Sequence, residues 1–69
     1  MARYQAYYRG VTPDGNVAET KAPIRAPNKG LAIALAKHYL PPEFELLNLK
    51  ENKLVRLVNM STGEDVPLD

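Results

Sequence analysis

Glu43-Phe44-Glu45-Leu46-Leu47-Asn48-Leu49-Lys50-Glu51-Asn52-Lys53-Leu54-Val55-Arg56-Leu57-Val58-Asn59-Met60 is the stretch on which the fold turns. Two readings compete for it. As one long helix, it lines up Leu47, Leu54, Leu57 and Val58. As two strands, Phe44 to Lys50 and Lys53 to Asn59 meet at a tight turn at Glu51-Asn52, where asparagine tolerates positive φ. Neither period is clean, and periodicity alone does not separate short apolar runs. The two-strand reading is preferred. It points Phe44 and Leu46 into a core and turns Leu47 and Leu49 outward. It leaves the last strand apolar on both sides, with Val55 and Leu57 opposite Leu54, Val58 and Met60. A bulge would turn outward leucines back in.

Working toward the N-terminus, Pro41-Pro42 closes a helix, since the residue before a proline avoids the helical region. Leu31 to Leu40 is rich in alanine and leucine. At helical spacing Leu31, Leu35, Tyr39, Ala32, Ala36 and Leu40 form one broad face, with the small Ala32 and Ala36 at its centre. Lys37, His38 and Gly30 lie opposite. Asn28 suits the N-cap, because its side-chain oxygen can accept from a free N–H of the first turn. The spacing predicts a helix over Asn28 to Leu40.

Earlier still, two runs alternate. Tyr4, Ala6 and Tyr8 share one side of the first, and Arg3, Gln5, Tyr7 and Arg9 share the other. Ala18, Thr20, Ala22, Ile24 and Ala26 share one side of the second, with Glu19, Lys21 and Arg25 opposite. Thr12-Pro13-Asp14-Gly15-Asn16 between them is turn chemistry. The runs pair as an antiparallel hairpin, and Pro23, lacking an N–H, places the second strand at an edge.

The order is ββαββ, a ββαβ core plus an extra strand. The class is α+β, an antiparallel sheet with one helix on one face and strand order 2-1-3-4. Tyr4, Ala6, Tyr8, Ala22, Ile24, Leu31, Leu35, Tyr39 and Phe44 are the expected core. Residues 1–60 form this single domain. Residues 61–69, Ser-Thr-Gly-Glu-Asp-Val-Pro-Leu-Asp, read as a loose acidic C-terminal tail.

Three pieces of the chain recur together in a known family. They are Tyr4-Gln5-Ala6, then Pro23-Ile24-Arg25-Ala26, then Ala32…Leu35-Ala36…Tyr39-Leu40-Pro41-Pro42-Glu43-Phe44-Glu45. The chain resembles the small RNA polymerase inhibitor family of short-tailed coliphages over residues 4–50. That family shows an aromatic-x-Ala opening, a Pro-Ile-x-Ala strand end, an alanine-rich helix and Tyr-x-Pro-x-x-Phe-Glu entering the last strand. The resemblance implies a ββαβ domain that binds the bacterial host polymerase and blocks open-complex formation. It also implies a contact pair, two arginines in the family, whose positions hold Asn48 and Lys50 here. One has lost the charge and the other the guanidinium fork. The family's acidic hairpin positions hold Arg9 and Lys21, with reversed sign, and the helix carries Lys37 and no acid. Residues 53–69 have no counterpart.

Composition narrows the chemistry. The chain has 69 residues, 45% hydrophobic and 25% charged, with net charge +1 and no cysteine. A domain this small buries only about 60% of its unfolded surface. Without cysteine there is no disulfide and no thiolate metal site, and His38 alone builds no histidine cluster. No cofactor and no metal are expected. No run reaches the roughly 20 apolar residues of a membrane span, and the opening Met-Ala-Arg-Tyr lacks the apolar stretch of a signal peptide. A cytoplasmic location is the expectation. Ser61 and His38 are the only serine and histidine and lie on different elements, so no nucleophilic triad is expected. Glu43/Glu45 and Glu64/Asp65 read as solvated charge, and the chain reads as no enzyme.

Charge is uneven. Residues 1–38 hold six cations against two anions, and residues 39–69 three against six. Three functional readings follow. The first is a small phage-type protein that binds and inhibits a bacterial host protein, RNA polymerase foremost, by occupying its surface. Asn48 and Lys50 would sit at that contact, with Tyr7, Leu47 and Leu49 as apolar anchors and Arg9 at the rim. The second is a nucleic-acid-binding module on a basic sheet face formed by Arg3, Tyr7, Arg9, Lys21 and Arg25, where cations meet phosphates and a base stacks on the ring. The third is a homodimer joined through the two-sided last strand.

Overall fold

A computed structural model describes residues 2–39 and 41–68. Leu40, expected at the helix end, and Asp69, expected in the tail, lie outside the described residues, as does the side chain of Glu43. The elements are β1 (Ala2–Val11), β2 (Val17–Ala26), α1 (Lys29–His38), α2 (Pro42–Leu46) and β3 (Lys50–Asn59). They build an α+β domain with one antiparallel sheet of order β2-β1-β3.

The hairpin follows the expected alternation. β1 and β2 pair without irregularity from Ala2↔Ala26 to Val11↔Val17. The turn closes through Thr12: its N–H donates to the Asn16 carbonyl at 2.8 Å, and its carbonyl accepts from the Gly15 N–H at 2.9 Å. Gly15 sits at φ 90°, a conformation that glycine adopts without steric cost. The Thr12 hydroxyl donates to Asp14 at 2.6 Å and, foremost among the causes, holds that carboxyl below its ordinary value. β2 is an edge strand, so the missing donor of Pro23 falls where a sheet tolerates it.

Among the described residues the expected fourth strand is absent, and the reason lies in residues 41–49. Phe44 to Lys50 is not a strand. Pro41-Pro42 ends one helix and starts another, because Pro42 occupies the first helical position, where its fixed φ and missing N–H cost nothing. The Asn48 N–H donates to the Glu45 carbonyl at 3.1 Å and the Leu49 N–H to the Phe44 carbonyl at 2.8 Å. Asn48 takes φ 54° to allow this. That is a left-handed cap, sealed by apolar contact between the residue that follows it and the last turn. Leu49 is therefore buried, at 7% exposure, and not outward as expected. Leu46, expected inward, is 82% exposed. Nor is there a turn at Glu51-Asn52: both lie inside β3, with Glu51 at φ 57°.

β3 carries two irregularities. Tyr7 pairs with Arg56 and Tyr8 with Leu54, so Val55 is an extra residue. This bulge brings Leu54 and Leu57 to the same face, where Leu57 is fully buried and Leu54 packs against the core. Leu54 and Leu57 thus share the core face, while Val58 lies on the opposite face beside Gln5.

The core contains Tyr4, Ala6, Tyr8, Ala22, Ile24 and Phe44 as expected, joined by Ala26, Ala32, Ala36, Leu49, Leu57 and Val66. Leu31, Leu35 and Tyr39, expected in it, are exposed. The correction follows from how close α1 approaches the sheet. Only the central alanines fit against the strands, Ile33 packs on one flank, and the bulkier Leu31 and Leu35 stay at the rim. Asn28 caps the helix as expected, accepting from the Leu31 N–H at 2.9 Å. At the other end the Tyr8 hydroxyl donates to the Ala36 carbonyl at 2.8 Å, one of the acceptors a helix terminus leaves free. The Tyr8 ring meets Phe44 edge-on at 6.0 Å and Tyr39 at 6.3 Å.

Residues 61–68 are docked and not loose. The Asn59 N–H donates to the Glu64 carbonyl at 2.8 Å and the Val66 N–H to the Leu57 carbonyl at 2.7 Å. Val66 is buried and Leu68 packs against the core. This segment covers the outer edge of β3 from Leu57 to Asn59, where it pairs with backbone groups that an edge would leave open.

Candidate functional site

α1 covers one face of the sheet, and the other face is open. The alternation of β1 sends Tyr4, Ala6, Tyr8 and Gly10 under the helix and Arg3, Gln5, Tyr7 and Arg9 to the open side. The pairing then sets their neighbours. Arg3 faces Arg25, Gln5 faces Pro23, Tyr7 faces Lys21 and Arg9 faces Glu19 across β2. On the β3 side Gln5 faces Val58, Tyr7 faces Arg56, Arg9 faces Lys53 and Val11 faces Lys50.

All five residues of the basic-face reading, Arg3, Tyr7, Arg9, Lys21 and Arg25, are thus brought to one surface. Arg56 and Lys53 belong to it as well. Their membership could not be read from strict alternation, because the bulge at Val55 changes the parity of β3 between them. The Arg56 guanidinium lies 5.5 Å from the centroid of the Tyr7 ring, within the range of a cation–π contact.

Three anions temper the charge, Glu51 beside Arg9 and Lys53 among them. Glu19 pairs with Arg9 at 3.0 Å and Asp65 with Arg56 at 2.7 Å. All four side chains are more than half exposed, so solvent screens both pairs. The Asp65 carboxylate, first by hydrogen bond and then by charge, pushes the Arg56 guanidinium higher still and keeps it charged. Arg3, Lys21, Arg25 and Lys53 are exposed.

The residues of the protein-contact reading divide. Tyr7 and Arg9 lie on the open face, and Lys50 stands at its end, opposite Val11. Leu47 and Asn48 are exposed on the turn that leads into Lys50. Leu49 belongs to the core and drops out as an anchor. Leu46, which the alternating reading placed inside, takes its place as an exposed apolar side chain on α2.

The surface is shallow. An open depression of about 300 Å³ includes Arg3, Gln5, Pro23, Arg25 and Met60, and another of about 330 Å³ includes Arg9, Val11, Glu51 and Lys53. Neither encloses a ligand as a small-molecule pocket does. Among the described residues no three of His, Cys, Asp and Glu gather as a metal site would require, and no helix is long and apolar enough to cross a membrane. No family model, curated protein or solved structure matches the chain.

Proposed function

We propose that this protein is a small phage-type inhibitor that binds a bacterial host protein, RNA polymerase foremost, and acts in the host cytoplasm by occupying a surface. The observation that carries the reading is where the resembling residues fall. Tyr4, Ala6, Ile24, Ala26, Ala32, Ala36, Pro41 and Phe44, drawn from all three matched pieces, are buried. Most of the residues that carry the resemblance are thus core residues here, and this supports the reading. The three strands and the longer helix α1 follow the ββαβ order that the resemblance implies, with the short α2 added between α1 and β3.

The contact runs from the α2–β3 turn onto the end of the open face. Asn48 and Lys50 occupy the positions implied by the resemblance. Leu46 and Leu47 flank them as apolar anchors, and Arg9 and Tyr7 continue the surface. Because the hairpin is basic where the family is acidic, the surface occupied should be acidic. Charge complementarity of this kind governs association rate and salt response more than final affinity.

The test is a titration of purified bacterial RNA polymerase in an abortive-initiation assay, with binding followed separately. Inhibition should saturate near one inhibitor per polymerase. The Leu47→Asp/Lys50→Glu double variant should weaken binding at least tenfold while its circular dichroism spectrum stays that of the wild type. A folded wild-type protein that neither binds nor inhibits the enzyme ends the polymerase assignment.

A further inference from the structure

The open face carries Arg3, Lys21, Arg25 and Lys53, which the proposed host-protein contact does not use, around Tyr7, which both readings share. Arg3 and Arg25 face each other at the end far from Lys50. Four residues along β1, Tyr7 sits in a row between Lys21 and Arg56. At roughly 3.4 Å per residue, the two rows are about 14 Å apart. Between them lie Gln5, Pro23 and Val58, which are uncharged. Lys53 extends the track one row further. The face is therefore two cationic rows around a neutral floor, with an aromatic ring at the centre of one row.

We infer that this face is a platform for single-stranded nucleic acid, with Arg3, Arg25, Lys21 and Lys53 meeting phosphates while a base stacks at Tyr7. The inference goes beyond the proposed host-protein contact and stands without it. Two features favour a single strand over a duplex. A base can stack on a side chain only when its own face is free, and in a duplex that face is already stacked. A flat three-stranded face also offers no projecting helix or two-stranded ribbon to enter a major groove. The Arg56 guanidinium lies over one face of the Tyr7 ring, and a base can stack on the ring's other face or on the guanidinium plane itself. The ion pairs Arg9–Glu19 and Arg56–Asp65 are exposed and screened, so incoming phosphates can displace their carboxylates.

The experiment measures fluorescence anisotropy of the intact protein with three probes: a labelled thymidine 12-mer, the same strand in a duplex, and labelled polyglutamate of similar charge. The single strand should bind tightest, and its affinity should fall with salt. Tyr7→Ala should weaken single-strand binding about tenfold, while Tyr7→Phe, which keeps the ring, should bind as the wild type does. Arg3→Gln/Arg25→Gln should reduce the slope of log affinity against log salt by roughly 1.4, the share of two phosphate contacts on a single strand. Duplex binding equal to or tighter than single-strand binding overturns the inference. So does polyglutamate binding as well as the oligonucleotide, or a folded Tyr7→Ala that binds like the wild type. None of these outcomes depends on RNA polymerase, so failure here leaves the host-protein contact untouched, and failure there leaves this platform standing.

Discussion

β1 has two neighbours, and it meets them differently. Toward β2 the ladder runs from one end to the other without a slip. Toward β3 it shifts register between Tyr7 and Tyr8 and again between Arg9 and Val11. The regular side is local, joined by a short turn whose residues dictate its geometry. The irregular side brings together segments some forty or more residues apart and must also accommodate Leu49 from the α2 cap. A hairpin can be built from turn chemistry and alternation alone. A long-range pair is shaped by what else has to fit in the core, and bulges are how β3 makes the fit.

The sharpest way to break the irregular side is Leu57→Ala. Leu57 is fully buried opposite Ala6, under the helix. Removing its side chain should cost about 2–5 kcal/mol, read from the midpoint of urea unfolding. A domain of this size has little more than that to lose. Leu35→Ala is the matched control. Leu35 is 49% exposed, so the same chemical deletion should cost about 1 kcal/mol or less. Equal losses at the two sites would mean that α1 packs through its leucines after all, and not through Ala32 and Ala36.

Gly10→Ala attacks the second register shift. A Cβ at Gly10 would lie 2.8 Å from Asn52 Oδ1 and 3.0 Å from the Leu49 Cβ. The asparagine side chain can swing away, but Leu49 is held in the core. Overpacking there should cost about 1–3 kcal/mol. Gly15→Ala tests the regular side for comparison. Nothing lies within 4 Å of a Cβ at Gly15, so the cost there is the left-handed backbone alone, about 1 kcal/mol. Measured by thermal unfolding, Gly10→Ala should be the more damaging of the two.

The same contrast decides how much could be read from the chain. β1, β2, their turn, the edge position of Pro23 and the Asn28 cap each depend on near neighbours in sequence. Alternation and turn chemistry carry that information directly, and the open face with its five basic and aromatic members follows from it. The stretch after Pro41 could not be read the same way. Its signals were present: a proline at a helix start, and an asparagine four residues beyond Phe44 able to take positive φ. They were outweighed by apolar residues that suit a strand equally well. The side-chain parity of β3 had no local signal at all. Val55 becomes an extra residue only because Leu54 and Leu57 must both reach the core, and that demand comes from β1 and α1. Arg56 and Lys53 were missed as members of the open face for this reason.

Tyr8→Phe probes a residue that joins β1, α1 and α2. It removes the 2.8 Å bond to the Ala36 carbonyl and should cost about 0.5–1.5 kcal/mol. It should also change the pH profile. Burial foremost, and then Tyr39, pushes the Tyr8 phenol from 10.0 up to about 12. The fold favours the neutral phenol, so its contribution is complete below about pH 10. It is lost as pH rises from there through 12, because the unfolded chain ionises first. The advantage of wild type over Tyr8→Phe should therefore be greatest below about pH 10 and disappear as pH rises toward 12. A constant difference from pH 8 to 12 would show that the phenol ionises as readily in the fold as outside it.

The smallest effect should come from the outer edge of β3, through Asp65→Asn. The carboxylate accepts from Arg56 Nε at 2.7 Å, yet both side chains are more than half exposed. Ion pairs of that kind lend little stability, and salt weakens them further. What fastens residues 64–66 is the backbone: the Glu64 carbonyl accepts from Asn59 and the Val66 N–H donates to Leu57. Asp65→Asn should therefore shift the melting temperature no more than an unrelated surface substitution, and any shift should vanish at high salt. Amide exchange at Val66 should stay slow in the variant. Val66→Ala should speed it, because Val66 is buried and its side chain anchors the segment. Fast exchange at Val66 in Asp65→Asn would instead make the Arg56 pair the clasp. It would then tie the cation beside Tyr7 to the docking of the C-terminal segment.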